Sequence, residues 1–452
     1  MSEYRYKPSY YNFIYMIRDE IWLFNSLNLG LVQIDQDLYE LLTQEIIDMD
    51  NYVGEDKEYL FEFLEEGFIV PFYVDELKIL EYIYNTDKYD KEYLSITIVP
   101  TLSCNCACYY CFERENNKKT QIIPNSINDK FEDEVIQYIE SKLADIKSLD
   151  VAWFGGEPLL EFPKIEALSK RIIELCDKYD VQYTSSLTTN GYYIAKISNI
   201  LLRLKACQIG TYQVTIDGAP KEHDKIRKLK HNGAGTFSEI ITGIRMLYES
   251  GMNISVRVNI SKANIENLEE LFDVLEKDDL KNLKIYFGQL IDYSEKDNSE
   301  LYFSTLEYST VVQKLYILLR NRGFWYGLEE HYPTIARACI ANRMNTAVID
   351  CYGNIYKCRS QIGEFEKKVD SIYNKQQTIE EAMREINWLQ WTPFKYLKCK
   401  ECKYLPLCMG GCPYTLYDNE KELPVCDHWK YNLEFFIKQK VKNLEVNDNE
   451  KR

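Results

Sequence analysis

The chain is short of histidine: only His223, His231, His331 and His428 occur in 452 residues, and none stands at a zinc-like spacing to the cysteines. Any metal must then be held mainly by thiolates, which favours iron–sulfur clusters or an all-cysteine zinc site. Positive charge is also in deficit. A formal net charge of −17 opposes a broad phosphate-binding surface, because nucleic-acid affinity rests on Lys and Arg neutralising phosphates, so no nucleic-acid partner is expected. No apolar run approaches the roughly 18 residues that a membrane helix needs, and the segment Met1–Glu20 lacks the basic, apolar and small-residue order of a secretory signal. A cytoplasmic protein without a membrane partner is expected. There is no internal repeat, and no low-complexity tract beyond the polar tail from Asn447.

What the chain has in quantity is cysteine. In a compartment that keeps thiols reduced, 14 cysteines point to metal sites and not to disulfides. A content of 46% hydrophobic and 28% charged residues is that of a globular protein. The length exceeds what one core usually serves, so two or three domains are expected.

Residues 93–287 alternate β-rich runs with amphipathic stretches, the signature of βα units and a parallel sheet. Strands are predicted at Leu94–Val99, Asp150–Phe154, Gln182–Leu187, Tyr212–Ile216, Ile254–Ile260 and Leu283–Phe287. Phe131, Val135, Ile139, Leu143 and Ile146 recur at helical spacing, as does the stretch Ile165–Leu175. Six units imply an α/β fold with a partial (β/α)6 barrel. Catalytic groups of such sheets collect at the C-terminal strand ends, and the motifs fall there: the first cysteine cluster, Gly155-Gly156-Glu157-Pro158, Thr188-Thr189-Asn190-Gly191 and Asp217-Gly218 follow successive strands. Ahead of this core, β-runs at Tyr11–Ile17 and Ile21–Phe24 precede helical patterns at Leu38–Ile47, Tyr59–Leu64 and Leu77–Tyr84. Behind it, Leu306–Leu319 reads as a linker helix, and residues 330–430 hold eight cysteines with few periodic elements.

Cys104, Cys108 and Cys111 form C-x3-C-x2-C. Three thiolates on one loop leave the fourth iron of a 4Fe–4S cube open to another ligand. A structural zinc loop would need a fourth protein ligand that only Cys106 supplies nearby, at poor tetrahedral geometry, so Cys106 is read as a bystander. On these residues, with Gly155 to Pro158 placed 44 positions after Cys111, the chain resembles the radical S-adenosylmethionine (SAM) superfamily. The resemblance implies that Cys104, Cys108 and Cys111 carry the catalytic cluster. It implies that Gly155, Gly156, Glu157 and Pro158 meet the methionyl amino group, with Thr189 and Asn190 counted among the cofactor contacts. Thr215 becomes the ribose candidate, Arg227 the carboxylate candidate and Asn259 a further polar contact; helix capping by a strand-end polar residue is the alternative for Arg227 and Asn259.

The later cysteines run Cys339-x13-Gly353-x4-Cys358, then Cys399-x2-Cys402-x5-Cys408-x3-Cys412 and Cys426. Two zinc knuckles are one reading, since C-x2-C pairs serve both metals. Beside the first cluster, the order resembles the SPASM domain of radical peptide-modifying enzymes, which carries two auxiliary 4Fe–4S clusters. The resemblance assigns Cys399, Cys402, Cys408 and Cys426 to the outer cluster and Cys339, Cys358 and Cys412 to the inner one. Cys351 is the candidate for a fourth inner ligand, or an uninvolved thiol in a turn, in which case the site stays open to a substrate thiolate. Cys176 and Cys207 read as buried small hydrophobes.

The implied domains are 1–90, resembling a winged-helix-like leader-peptide-recognition domain; 91–290, the radical SAM partial barrel; 291–330, a linker helix; and 331–440, the SPASM domain. The implied cofactors are SAM and three 4Fe–4S clusters, with a flavodoxin- or ferredoxin-like electron donor. A 5′-deoxyadenosyl radical would abstract a substrate hydrogen. In the sulfatase-maturating branch an Asp follows the G-x4-C cysteine as a base; here Arg359 stands there. That departure favours thioether formation in a ribosomally made precursor peptide bearing a leader. Carbon–carbon crosslinking and sulfatase-type oxidation of Cys or Ser are the alternatives, and an electron-transfer or zinc-structural protein is the non-enzymatic one.

Overall fold

The computed structural model describes residues 5–113, 130–291, 300–324, 332–417 and 423–450. The parts of the expected linker at 292–299 and 325–330 lie outside the described residues, as do 418–422 of the C-terminal domain. The chain divides into two compact units, one of Met1–Lys88, Leu328–Cys339 and Thr392–Arg452, the other of Tyr89–Gly327 and Ile340–Trp391.

The first unit begins with β1 (Arg5–Pro8), β2 (Asn12–Ile17), β3 (Glu20–Asn25) and β4 (Leu31–Ile34), followed by α1 (Gln36–Leu41), β5 (Ile47–Asp48), α2 (Glu55–Glu65), β6 (Ile69–Pro71) and α3 (Glu76–Lys88). The expected hairpin is β2–β3, which β4 extends to a three-stranded sheet; β5, β1 and β6 form a second. The helix predicted through Ile47 stops at Leu41. Thr43 turns its hydroxyl onto the Glu40 carbonyl at 2.6 Å, and Ile47 pairs with Tyr6 instead, because there its side chain joins Leu38, Leu41, Leu60 and Phe63 in one core. At its far end α2 closes with Phe68 N–H on Phe63 O and Gly67 N–H on Leu64 O, the paired bonds of a Schellman cap, which turn the chain into β6.

The second unit holds all six predicted βα strands: β7 (Tyr93–Ile98), β8 (Ser148–Trp153), β9 (Gln182–Thr189), β10 (Thr211–Ile216), β11 (Asn253–Ile260) and β12 (Lys284–Gln289), parallel throughout. Between them run α4 (Phe131–Leu143), α5 (Phe162–Tyr179), α6 (Ile200–Ala206), α7 (Pro220–Ile226), α8 (Phe237–Glu249) and α9 (Leu268–Lys277), and α10 (Thr305–Asn321) follows β12. The sheet does not end at β7. Residues 340–391, which the sequence groups with the C-terminal cysteines, add β13 (Thr346–Ile349) parallel to β7, then β14 (Asn354–Tyr356) and β15 (Asp370–Ser371) antiparallel, before α11 (Ile379–Gln390). Nine strands thus form one sheet.

Alternation along these strands gives the sheet two unlike faces. Ile96, Ile98, Val151, Trp153, Val214 and Val256 are wholly buried. The opposite face is polar: Asp150 accepts from Thr184 Oγ1 at 2.9 Å, Tyr286 bonds Gln213, and Arg257 lies over the Tyr286 ring. A barrel interior is ordinarily filled with branched apolar residues, so a polar one is suited to a polar ligand.

In the first unit, the C-terminal helix α12 (Trp429–Glu450) lays Leu433, Ile437 and Val441 against Ile17, Trp22 and Phe24. The two ends of the chain, separate domains in the sequence reading, share this core.

Candidate active site

The loop carrying Cys104, Cys108 and Cys111 follows β7 and is strapped on both sides. From the β8 end, Gly156 N–H reaches Thr101 O at 3.2 Å and Glu157 N–H reaches Ser103 O at 2.9 Å. Only glycines allow this approach: a Cβ on Gly155 would stand 2.6 Å from Thr101 O, and one on Gly156 2.8 Å from Leu102 O and closer still to Ser103. The glycine pair therefore admits the cysteine loop itself, a role the sequence did not reveal. From the other side, Ala107 N–H bonds Lys228 O and Lys230 N–H bonds Asn105 O, both at 2.8–2.9 Å, around a bridge between Cys106 and Leu229. Cys106 is buried in that bridge and points its N–H at Cys104 Sγ, 3.4 Å away.

Glu157 is wholly buried. Its carboxylate accepts from Thr189 Oγ1 at 2.7 Å, Asn190 N–H at 2.8 Å and Leu159 N–H at 3.0 Å. Burial pushes its carboxyl up to about 7, with the Cys104 charge adding to the rise and the three donors opposing it. Asn190 Nδ2 continues to Asn105 Oδ1 at 2.8 Å. Thr189 and Asn190, expected among the cofactor contacts, thus hold Glu157 and the cysteine loop in register. Pro158 opens the 3-10 turn that Glu157 caps.

The hub of the site is Asp217, at the end of β10. Its Oδ2 accepts from Arg227 Nη1 at 3.2 Å and, by a short bond, from Tyr110 in the cysteine loop; its Oδ1 accepts from Asn259 Nδ2 at 3.0 Å. Arg227 Nη1 also reaches the Tyr110 hydroxyl at 2.8 Å. Arg227 and Asn259 therefore meet on one carboxylate, and Arg227, buried among Asp217, Tyr110 and cysteine sulfurs, is held in its charged form. His223 supports the hub from behind. Its Nδ1 accepts the Asp217 N–H at 3.2 Å, so Nε2 carries the proton and faces Thr236 Oγ1 at 3.1 Å. Thr215 is buried on β10, and among the described residues its hydroxyl takes no part in this network. Sequence reasoning quoted Asp217 and His223 without assigning them and missed Tyr110; its place inside the Cys108–Cys111 gap was the available signal.

Of the C-terminal cysteines, Cys399, Cys402, Cys408 and Cys426 line one small cavity of the first unit, with Leu405, Gly410 and Lys430; Lys430 Nζ is 3.9 Å from Cys426 Sγ. Cys339 and Cys412 lie in the same unit, and Cys358 in the other. Cys351 occupies the turn after β13, where burial pushes its thiol up to about 12 and the Leu102 backbone hydrogen-bonds it. Among the described residues, no three His, Cys, Asp or Glu side chains converge to the span of a single metal ion.

The donor set suits the implied groups. Three cysteines sit on one strapped loop, and buried Arg227 Nε and Asn105 Nδ2 have no hydrogen-bond partner among the described residues. Both are donors next to where an anionic ligand would stand. A parallel-sheet enzyme with a thiolate loop at the strand ends is the class this describes. Residues 98–276 match the Radical SAM superfamily, so the chain holds a radical SAM domain, a family that binds SAM and a 4Fe–4S cluster. It is 25% identical over 349 residues to the serine-type anaerobic sulfatase-maturating enzyme of Bacteroides thetaiotaomicron, covering 69% of this chain and 80% of that one. It is 22% identical over 441 residues to the radical SAM cyclopropyl synthase TigE of Paramaledivibacter caminithermalis, covering 86% and 85%. In fold it is similar to native anSMEcpe with bound AdoMet, at a TM-score of 0.58 and 19% identity, over 79% of this chain and all of that one. No described helix is long and apolar enough to cross a membrane.

Proposed function

We propose that this enzyme modifies a ribosomally made precursor peptide, joining a cysteine sulfur to a carbon as an intramolecular thioether. The observation that carries the reading is Arg359. The sulfatase-maturating branch needs a base directly after the G-x4-C cysteine, and a guanidinium, always charged, accepts no proton. Here it lies over the Phe154 ring at 5.2 Å and donates Nε–H to Thr97 Oγ1 at 3.1 Å. The alignment with TigE covers enough of the chain to include part of the first 88 residues, which supports an N-terminal unit used for leader capture by strand addition. That relative's name also favours a second reading, in which the new bond is carbon to carbon.

When bound, the reduced cluster and SAM supply a 5′-deoxyadenosyl radical that takes a substrate hydrogen, with electrons from a flavodoxin- or ferredoxin-like donor. The chain's own residues bind and orient: Tyr110, Asp217, Arg227 and Asn259 join the cysteine loop to the strand ends, the Arg227 guanidinium would meet the methionyl carboxylate, and the Gly155–Pro158 segment would meet the amino group. In the C-terminal region, Cys399, Cys402, Cys408 and Cys426 would hold an outer cluster, and Cys339, Cys358 and Cys412 an inner one. Cys351 is a poor fourth inner ligand. Cys351 lies in the turn of the β13–β14 hairpin, whereas Cys358 follows the far end of β14, a separation that supports an inner iron left open for a substrate thiolate.

The test is 5′-deoxyadenosine formation after anaerobic reconstitution with iron, sulfide, SAM and a strong reductant. Cys104→Ala should abolish it; a variant equal to the parent sinks the reading. Mass analysis of a peptide product should show loss of two hydrogens.

A further inference from the structure

The polar face of the central sheet holds a cation that pairs with no carboxylate among the described residues. Arg203, Arg245 and Arg322 pair with Glu166, Asp278 and Glu276, and Arg227 with Asp217. Arg257, at an inward-facing position of β11, is held by neutral groups: its Nε donates to Asn259 Oδ1 at 2.8 Å, and its guanidinium lies over the Tyr286 ring, 6.0 Å from the centroid. Among the described residues no carboxylate pairs with it.

The position is built for a guanidinium. A Cβ on Gly288 would stand 2.7 Å from both Nε and Nη2 of Arg257, so a side chain there would push the group off the β12 backbone. Asn259 holds Nε, Tyr286 lies against the guanidinium and hydrogen-bonds it, and the remaining Nη donors suit a carboxylate. Arg257 is two residues, about 7 Å, deeper along β11 than Asn259, which contacts the network under the cysteine loop. A second guanidinium, Arg359, lies on the same sheet face against Thr97. In a chain of net charge −17, the guanidiniums of Arg257 and Arg359 on this face, which also carries Asp150 bonded to Thr184, are what would attract an acidic ligand.

We propose that Arg257 binds a carboxylate side chain of the substrate, an Asp or Glu within a few residues of the position that reacts. This rests on the reading of the substrate as a peptide and specifies its chemistry. The other source of a carboxylate is SAM itself, for which Arg227 already stands beside the cysteine loop.

The test uses the reconstituted holoenzyme with SAM and two equimolar pools of synthetic 12-residue peptides. Each peptide carries a central Cys in a randomised sequence, and the pools differ only in having Asp and Glu or Asn and Gln at the flanking positions. Retained peptides are counted by mass spectrometry, and SAM affinity and 5′-deoxyadenosine are measured on the same samples. The parent should retain the acidic pool about tenfold over the amide pool, the scale of one charge-assisted pair. Arg257→Gln should bring that ratio to within about twofold of unity, and Arg257→Lys should leave it intermediate. Because the ratio is internal to each variant, a general loss of binding or folding cancels. Equal retention of the two pools by the parent overturns the proposal, as does retention of neither. A variant that loses SAM affinity while keeping the ratio also overturns it, since the carboxylate is then SAM's. Absence of 5′-deoxyadenosine is a separate readout that falls on the enzymatic reading, not on this one.

Discussion

Protonating His223 should loosen the site from behind. Burial holds its imidazole down to about 4, with the Arg227 charge acting in the same direction and Asp217 and Asp224 opposing it. In the fold Nδ1 must stay unprotonated to accept the Asp217 N–H. The folded value lies below the unfolded one of about 6.5, so the folded state binds fewer protons. Stability is then fully present above about pH 6.5 and declines as pH falls toward 4. Between pH 7.5 and pH 5 these two values give a loss of about 2 kcal/mol. Many carboxyls titrate over the same range, so the measurement is a difference. Urea unfolding of the parent and of His223→Gln, which keeps an acceptor and a donor but does not titrate, should be followed at both pH values by tryptophan fluorescence. The parent should lose about 2 kcal/mol more than the variant over that interval. Parallel losses would refute the neutral, buried imidazole and the hydrogen bond to Asp217.

Three further expectations follow from the packing. Gly156→Ala should dislodge the cysteine loop and lower bound iron by roughly four per chain, one cube, measured by iron assay after reconstitution. Asp217→Asn leaves the buried Arg227 charge without its counter-ion and should cost about 3 kcal/mol in urea unfolding at pH 7.5; a loss well under 1 kcal/mol would mean that Arg227 is solvated there. Cys351→Ser should leave the iron content at the parent's value, which three cubes would put near twelve per chain, whereas Cys358→Ser should lower it; equal losses in the two variants would return Cys351 to the inner ligand set.

The six parallel strands were legible because each is a short β-rich run followed by helical spacing, and burial of Ile96, Val151 and Val214 is the force that this pattern records. The cysteine loop was legible for another reason: its three cysteines are neighbours in sequence, so the motif shows in spacing alone. The end of the sheet was not. β13 lies more than two hundred residues from the strand it pairs with, and β14 and β15 are too short to show a period. The helix expected through Ile47 failed because local periodicity cannot weigh the pairing with Tyr6 and the shared core against one more helical turn.

By itself the sequence determined the class of chemistry, since three cysteines at C-x3-C-x2-C and a following Gly-Gly-Glu-Pro depend on residue type and short spacing. Only the tertiary structure decided what the surrounding residues do. Gly155 and Gly156 admit the cysteine loop, Thr189 and Asn190 hold Glu157, Tyr110 joins Asp217, Arg227 and Asn259, and Arg257 meets Asn259 and Tyr286. Each of those outcomes is a contact between different strand ends, fixed by the register and alternation of parallel strands, and a linear reading contains no term for it.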